Sequence, residues 1–87
     1  MTDVIVNCLN SNVYNPLTLP MMTVYDHPTD YPDVYVARLF GAEGGPTNLI
    51  MTSYSLQDLR AGIKRSGFTA RLSRDSNDDE KILEVWI

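Results

Sequence analysis

The chain has very little of the side-chain chemistry on which disulfides, metal sites and nucleophilic catalysis depend. Its 87 residues include one cysteine and one histidine, Cys8 and His27. One cysteine excludes an internal disulfide, and one Cys with one His cannot make a zinc pattern. Nothing here requires an oxidising compartment. We therefore predict no cofactor and no resident metal.

Long apolar runs are also missing. No segment approaches the roughly 18 to 20 apolar residues that a membrane-spanning helix needs. The opening residues, MTDVIVNC, carry an acid where a secretory signal has bases, and their apolar run ends at Asn7. We expect no membrane segment and a cytoplasmic location.

Bases are fewer than acids: 7 Lys and Arg stand against 11 Asp and Glu, for a net charge of −4. This balance disfavours general nucleic-acid binding, which relies on cations displacing counterions from phosphates. The segment from Arg60 to Arg74 nevertheless contains no acid, and its bases are Arg60, Lys64, Arg65, Arg71 and Arg74. The acids that follow it are Asp75, Asp78, Asp79 and Glu80. A basic helix C-terminus followed by a solvated acidic turn is the interpretation that we favour over a phosphate-binding patch.

Residues 17–87 are predicted to form a single α+β domain, preceded by residues 1–16 as an N-terminal arm or edge strand. Apolar side chains occupy both faces of Val34–Phe40, which is typical of a central strand. A Gly-rich turn follows this strand, and Thr47–Thr52 should return as a second strand antiparallel to Val34–Phe40. Leu17–Tyr25 is expected to add a strand at an edge, where prolines are tolerated.

A short amphipathic helix is predicted near residues 56–65. Ser55 and Asp58 resemble a capping box at its start, and Gly67 can adopt the left-handed conformation that closes it. Its apolar stripe consists of Leu56, Leu59 and Ile63.

Two more strands, Phe68–Ser73 and Ile82–Ile87, should complete a mixed or antiparallel sheet of four or five strands. From residue 34 the order is strand, strand, helix, strand, strand. Alternation in the last strand places Leu83, Val85 and Ile87 inward. Trp86 then lies on the other face, packed against a neighbouring segment or presented to a partner.

Four strings of the sequence carry a resemblance. They are YDHPTDYP from Tyr25, YVARLF from Tyr35, PTN from Pro46 and ILEVWI from Ile82. With them, the chain resembles a group of small proteins of Gram-positive bacteria and of their phages or mobile elements, whose function is not known. The resemblance implies a setting, that of a mobile-element accessory protein, and no mechanism.

The segment from Tyr25 to Asp33 is the strongest candidate site. Asp26, His27 and Asp30 provide a partial shell for a divalent ion. Pro28 biases His27 towards an extended conformation, in which the Asp26 and His27 side chains point to opposite sides. We therefore favour carboxylates that cap turns in a loop stiffened by proline.

The tyrosines and methionines indicate either an interface or the closing of a thin core. They are Tyr14, Tyr25, Tyr31, Tyr35, Tyr54, Met21 and Met22. We predict a non-enzymatic module that binds another protein, with a homodimer as one form of that contact. The predicted contact residues are Tyr25, Asp26, His27, Asp30, Tyr31, Asp33 and Trp86.

Three alternatives stay open. An acidic inhibitor that mimics nucleic acid against a host defence protein would need the acids of residues 75–80 on one face with those of the 25–33 segment. Nucleic-acid binding through the Arg60–Arg74 segment would need its five bases on one surface. An enzyme would need His27 in a pocket with a polar partner.

Overall fold

A mixed β-sheet with one substantial helix on its face organises the chain. This computed structural model describes residues 2–73 and 81–87, and within them it contains six strands and two helices. The strands are β1 Val4–Ile5, β2 Met21–Asp26, β3 Tyr35–Gly41, β4 Gly45–Ser53, β5 Arg71–Ser73 and β6 Ile82–Trp86. The helices are α1 Ser11–Tyr14 and α2 Leu56–Arg65. The α+β class is confirmed, with more strands than the expected four or five.

The sheet has the order β1-β4-β3-β2-β6-β5. β1 runs parallel to β4, and every other neighbouring pair is antiparallel. Helix α2 connects β4 to β5, which are separated by the three strands β3, β2 and β6. The crossover through α2 therefore does not join adjacent strands of the sheet.

Strand β3 lies in the interior of the sheet and pairs antiparallel with β4, as predicted. Val36 and Ala37 are neighbours in β3, point to opposite faces and are both buried. Apolar groups on both faces therefore do indicate an interior strand. The turn ends at Gly45, whose φ of 72° favours glycine.

The prediction of an edge strand in Leu17–Tyr25 is wrong. Its ordered part, β2, lies between β3 and β6 in the interior of the sheet. Pro20 directly precedes the first residue of β2, so the missing proline N–H removes no ladder hydrogen bond.

Helix α2 begins and ends where the sequence indicates. The Ser55 side chain accepts a hydrogen bond from the Asp58 backbone N–H at 3.3 Å. Gly67, just beyond the helix, has a φ of 102°, the left-handed geometry that glycine supplies at helix ends. Leu59 and Ile63 are buried and Leu56 packs against the same cluster.

The main core lies between α2 and one face of the sheet. Its strand residues are Met22, Val24, Ala37, Leu39, Met51 and Trp86. The N-terminal arm closes one end, because the Leu9 backbone N–H donates to the Ser66 hydroxyl at 2.8 Å and the Tyr14 hydroxyl donates to the Ser66 carbonyl at 2.9 Å. The Tyr14 ring also packs on Phe68, with centroids 4.9 Å apart.

The prediction of which side of the last strand faces inward is wrong. Glu84 and Trp86 are buried, whereas Ile87 is 52% exposed. Alternation alone favours an inward face made of Leu83, Val85 and Ile87. The opposite face is buried because Arg60 of α2 neutralises the Glu84 carboxylate and because Trp86 buries more apolar area than Ile87. The preceding strand is also shorter than predicted, since only Arg71–Ser73 is regular and Leu72 is exposed.

Candidate functional site

The face of the sheet opposite α2 is covered by the loop that joins β2 to β3. Thr23, Val36 and Ile50 are buried on this face. The loop turns twice, through hydrogen bonds from the Tyr31 N–H to the Pro28 carbonyl at 2.9 Å and from the Val34 N–H to the Tyr31 carbonyl at 3.4 Å. The predicted contact segment is therefore an ordered cover over the sheet.

At the start of this loop, His27 does not adopt the extended conformation that was expected from Pro28. Its φ is 47°, and this left-handed turn brings the His27 Nδ1 to 2.5 Å from Asp26 Oδ1. The imidazole also packs edge-on against the Tyr35 ring, with centroids 4.7 Å apart. Asp26 and His27 thus point to the same side, against the prediction, because a left-handed residue breaks the alternation of a strand.

Asp3 of the N-terminal arm joins the loop and strand β3 through contacts that sequence analysis missed. The Arg38 guanidinium donates to both carboxylate oxygens of Asp3, at 2.8 and 2.9 Å. The Tyr31 hydroxyl donates to the same carboxylate at 2.9 Å. Arg38 also donates to the Thr47 carbonyl at 2.8 Å. These contacts hold the arm, the loop and the two central strands together.

The electrostatics of this cluster follow from its hydrogen bonds. Those from Arg38 and Tyr31 lower the pKa of the Asp3 carboxyl from 3.8 to about 2. The bond to Asp3 raises the pKa of the Tyr31 phenol, because it favours the protonated form. The one signal in the sequence was a lone base in an apolar strand, Arg38, which needs a counterion when it is covered.

Beside this cluster lies an apolar hollow of about 290 Å³. We call it the loop surface, and its defining residues are Ile5, Asp30, Tyr31, Pro32, Asp33 and Tyr54. Tyr54 is 83% exposed and Ile5 is 57% exposed. Among the loop residues of this surface, Asp30, Tyr31 and Asp33 were predicted as contacts and Pro32 was not. Tyr54 was named only as one of the tyrosines and methionines that indicate an interface or a thin core. Ile5 carried no signal, because it is one of several apolar residues in the arm.

The tyrosine and methionine set divides between the core and this surface. Tyr14 and Tyr35 pack against the main core, and Met22 is part of it. Tyr25 lines a smaller hollow of about 190 Å³ together with Pro28 and Arg38. Tyr14, Tyr35 and Met22 therefore contribute to the core, whereas Tyr31 and Tyr54 line the loop surface.

Trp86 does not lie on the loop surface. It is 3% exposed on the opposite, helix-bearing face, so its side chain is not available to a partner in this conformation. Its indole Nε1 donates to Glu84 Oε2 at 2.7 Å.

Above Trp86, three of the five predicted bases converge on one groove between α2 and β5. This basic groove has a volume of about 650 Å³ and is lined by Gln57, Arg60, Lys64, Thr69, Arg71 and Trp86. Arg65 lines a different hollow, with Asn7 and Asp58. Arg74 lies outside the described residues, as do the acids at 75, 78, 79 and 80.

Three residues that line the basic groove, Arg60, Arg71 and Trp86, converge on the buried carboxylate of Glu84. Arg60 binds it through Nε at 3.0 Å and Nη2 at 2.6 Å, and Arg71 Nη1 lies 4.0 Å away. Burial alone would raise the pKa of Glu84, but the hydrogen bonds from Arg60 and Trp86 outweigh it and hold that pKa below its ordinary 4.5. The carboxylate is therefore ionised and fixes the Arg60 side chain.

Neither metal nor membrane chemistry emerges from residues 2–73 and 81–87. In this part of the chain, no three His, Cys, Asp or Glu side chains lie in an arrangement that could hold a metal ion. None of the helices seen there has both the length and the apolar character needed to cross a membrane. The exposed Cys8 contacts the Leu9 carbonyl and the Ser66 hydroxyl.

In comparisons with known proteins, this chain matches no family, no curated protein and no solved structure.

Proposed function

We propose that this protein is a non-enzymatic interaction module that binds another protein through the loop surface. The observation that carries the proposal is the exposure of Tyr54 and Ile5 side by side around an apolar hollow. Exposed apolar side chains are ordinary when scattered, whereas a contiguous group bordered by polar residues is typical of a contact site. Tyrosine is also enriched at the centre of protein interfaces.

The rigidity of the loop favours the same function. Tyr31 is fixed through Asp3 to the Arg38 side chain of the central strand, and Pro28 and Pro32 restrict the backbone between them. A loop that is already ordered loses little conformational entropy when a partner docks. Asp3 and Arg38 therefore stabilise the loop surface from beneath, and Tyr31 joins them to it.

The charge of the loop surface favours a different protein over a second copy of this chain. Asp30 and Asp33 are exposed and line the same hollow as Tyr54. In a two-fold dimer the same patch is present on both sides, so the carboxylates of both copies would be brought into one interface. A partner with an apolar side chain for the hollow and Lys or Arg around it is the better match, and a homodimer is the second possibility.

The test is quantitative capture of partners from the native host with the wild-type chain and with Tyr54→Ala as bait. The side chain of Tyr54 points into solvent, so truncation should leave folding unchanged while it removes the largest exposed apolar group of the loop surface. Tyr31→Ala is less suitable, because it also breaks the hydrogen bond to Asp3. We expect a partner whose recovery falls about tenfold or more with Tyr54→Ala, the usual size of an interface anchor.

Leu72→Ala is the matched control, because Leu72 is an exposed apolar residue of β5 at the far edge of the sheet. Equal loss of the partner with both variants would mean nonspecific apolar capture. Sedimentation of the purified chain distinguishes the homodimer, which should dissociate in Tyr54→Ala. Capture and sedimentation that are both insensitive to Tyr54 would contradict the proposal.

Two further functions have some support. Nucleic-acid binding has partial support, because three of its five bases line the basic groove while Arg65 lines a different hollow, and such binding would weaken steeply with added salt. The exposed Asp30 and Asp33 favour an acidic mimic of nucleic acid directed at a host defence protein. The resemblance to small proteins of bacterial mobile elements and phages suits an accessory role of either kind, in the cytoplasm of a host cell.

A further inference from the structure

The basic groove has α2 on one side and β5 on the other, and arginines from both elements approach the buried carboxylate of Glu84. Arg60 and Lys64 are four residues apart on α2 and therefore neighbours on one face of the helix. Arg71 approaches from β5, with its Nη1 4.0 Å from the Glu84 carboxylate that Arg60 binds. The three cations thus surround one small volume, although the sequence spreads them over twelve positions.

Glu84 orients Arg60 without using all of its donors. A guanidinium carries five N–H groups, and the two bonds to Glu84 engage Nε and one hydrogen of Nη2. The Nη1 hydrogens are not part of this pair. A buried carboxylate that holds an arginine in one orientation is a common way to prepare that arginine for an anion.

We propose that the basic groove binds a small phosphorylated molecule, with its phosphate held between Lys64 and Arg71 and facing Arg60. Among the described residues, three cations and the one carboxylate of Glu84 give this site a net charge of +2, on a chain whose net charge is −4. A local positive charge on an acidic protein attracts a compact dianion, and guanidinium groups bind phosphate through paired hydrogen bonds.

The dimensions of the groove indicate that the ligand is more than a bare phosphate. Its volume of about 650 Å³ is within the usual range for sites of small organic ligands. The Gln57 amide and the Thr69 hydroxyl line the groove beside the cations, and they can hydrogen-bond to hydroxyl groups of the ligand. A phosphate monoester of a polar compound, such as a sugar phosphate, has this combination.

A nucleic acid fits this arrangement less well. Its phosphates extend along a strand, and proteins that bind it without sequence preference present cations along a track. Here the cations surround a single carboxylate, and the next base of α2, Arg65, lines a different hollow. The groove is therefore suited to one phosphate or two adjacent ones.

The test is a titration of the purified full chain with ribose 5-phosphate at low ionic strength, by calorimetry and by fluorescence of Trp86. Trp86 is the one tryptophan of the sequence, and Lys64 Nζ lies 5.8 Å from its ring centroid, so a ligand that moves Lys64 should change its emission. Ribose, without the phosphate, and succinate, a dicarboxylate, are the comparison probes. We expect saturable one-to-one binding of ribose 5-phosphate, weaker binding of succinate and no binding of ribose.

Three substitutions remove one positive charge each. Lys64→Gln and Arg71→Gln should each weaken binding of ribose 5-phosphate about tenfold or more, the size of one charge-assisted hydrogen bond. Arg65→Gln is the matched control and should change the affinity less than about twofold, because an exposed charge outside the groove contributes little. All three side chains are exposed, so these variants should fold normally, which circular dichroism verifies.

The proposal would be overturned by three results. The first is no saturable binding of ribose 5-phosphate, and the second is an equal effect of Arg65→Gln, which would mean attraction by overall charge. The third is that a single-stranded oligonucleotide without terminal phosphates binds more tightly than ribose 5-phosphate and that Lys64→Gln weakens its binding. This result would make the groove a nucleic-acid site. None of these results depends on the loop surface, so the two proposals fail separately.

Discussion

Removal of the Arg60 guanidinium should reverse the pH dependence that Glu84 gives to the stability of the protein. Glu84 is buried, and its carboxylate accepts two hydrogen bonds from Arg60 and one from Trp86. Arg60→Ala leaves this carboxylate buried, and among the described residues its remaining close donor is the Trp86 indole N–H, since Arg71 is 4.0 Å away. The desolvation of Glu84 is then no longer offset.

Breaking a buried ion pair by removing one partner typically costs about 3–5 kcal/mol. The Arg60 side chain is 33% exposed, so part of its charge interaction is screened by water. We therefore expect a loss near the lower limit, about 3 kcal/mol at neutral pH. In a domain of this size that corresponds to a decrease in melting temperature on the order of 10 to 20 °C.

The sign of the pH effect follows from the pKa of Glu84 in each protein. In the wild type this pKa is below the ordinary 4.5. The Arg60–Glu84 pair therefore stabilises the fold fully at pH values above 4.5, and its contribution is lost as the pH falls through the lowered pKa of the folded state. In Arg60→Ala, burial should raise the pKa of Glu84 above the ordinary value. The variant is then least penalised in acid and loses stability as the pH rises through the raised pKa.

The assay is denaturant unfolding at a series of pH values from about 2 to 8, a range that extends to both sides of the ordinary pKa of a glutamate. Arg71→Ala is the control, because its 52% exposed side chain lies 4.0 Å from Glu84 and should contribute less than about 1 kcal/mol. The double variant Arg60→Ala with Glu84→Leu should recover part of the loss, since it removes the buried charge. An Arg60→Ala curve parallel to that of the wild type would refute this reasoning.

Two further substitutions test the start of helix α2 and the Asp3 cluster, which consists of Asp3, Arg38 and Tyr31. Ser55→Ala should cost about 0.5–2 kcal/mol, the usual value of an N-cap hydrogen bond such as the one from Asp58; an unchanged denaturation midpoint would mean that the cap does not contribute. Asp3→Asn should lower the melting temperature at neutral pH, because Arg38 and Tyr31 lose a charged acceptor. It should also abolish the part of the acid-induced loss that sets in as the pH falls below 3.8 towards about 2, and equal acid sensitivity in both proteins would contradict this.

The parts of the fold that were predicted correctly depend on neighbours in the sequence. The Ser55 cap, the α2 stripe and the turn before Gly45 are each encoded within about ten residues. The positions of β2 and of the buried face of β6 depend on distant residues instead. The helical spacing could have identified two members of the basic groove. Arg60 and Lys64, four residues apart, share one face of α2, whereas Arg65 is about 100° around the helix from Lys64.

The Asp3 cluster and the buried Glu84 could not be predicted, for one shared reason. Each is a charged residue whose counterion lies on another element: Asp3 and Arg38 are 35 positions apart, and Arg60 and Glu84 are 24 apart. Alternation assigns a charged side chain to the solvent. Only the assembled fold shows that a partner makes burial acceptable.

The order of the strands also bears on the kinetics of folding. The β3–β4 hairpin closes through a turn of a few residues, which is an event of microseconds. In the centre of the sheet, however, β2 pairs with β6, and Met22 faces Trp86 across 64 positions of sequence. Such a pairing has a large loop-closure entropy and slows barrier crossing. We therefore expect a transition state in which the hairpin is formed and the edge of β2 is still open, a stage at which this apolar strand is most exposed to intermolecular association.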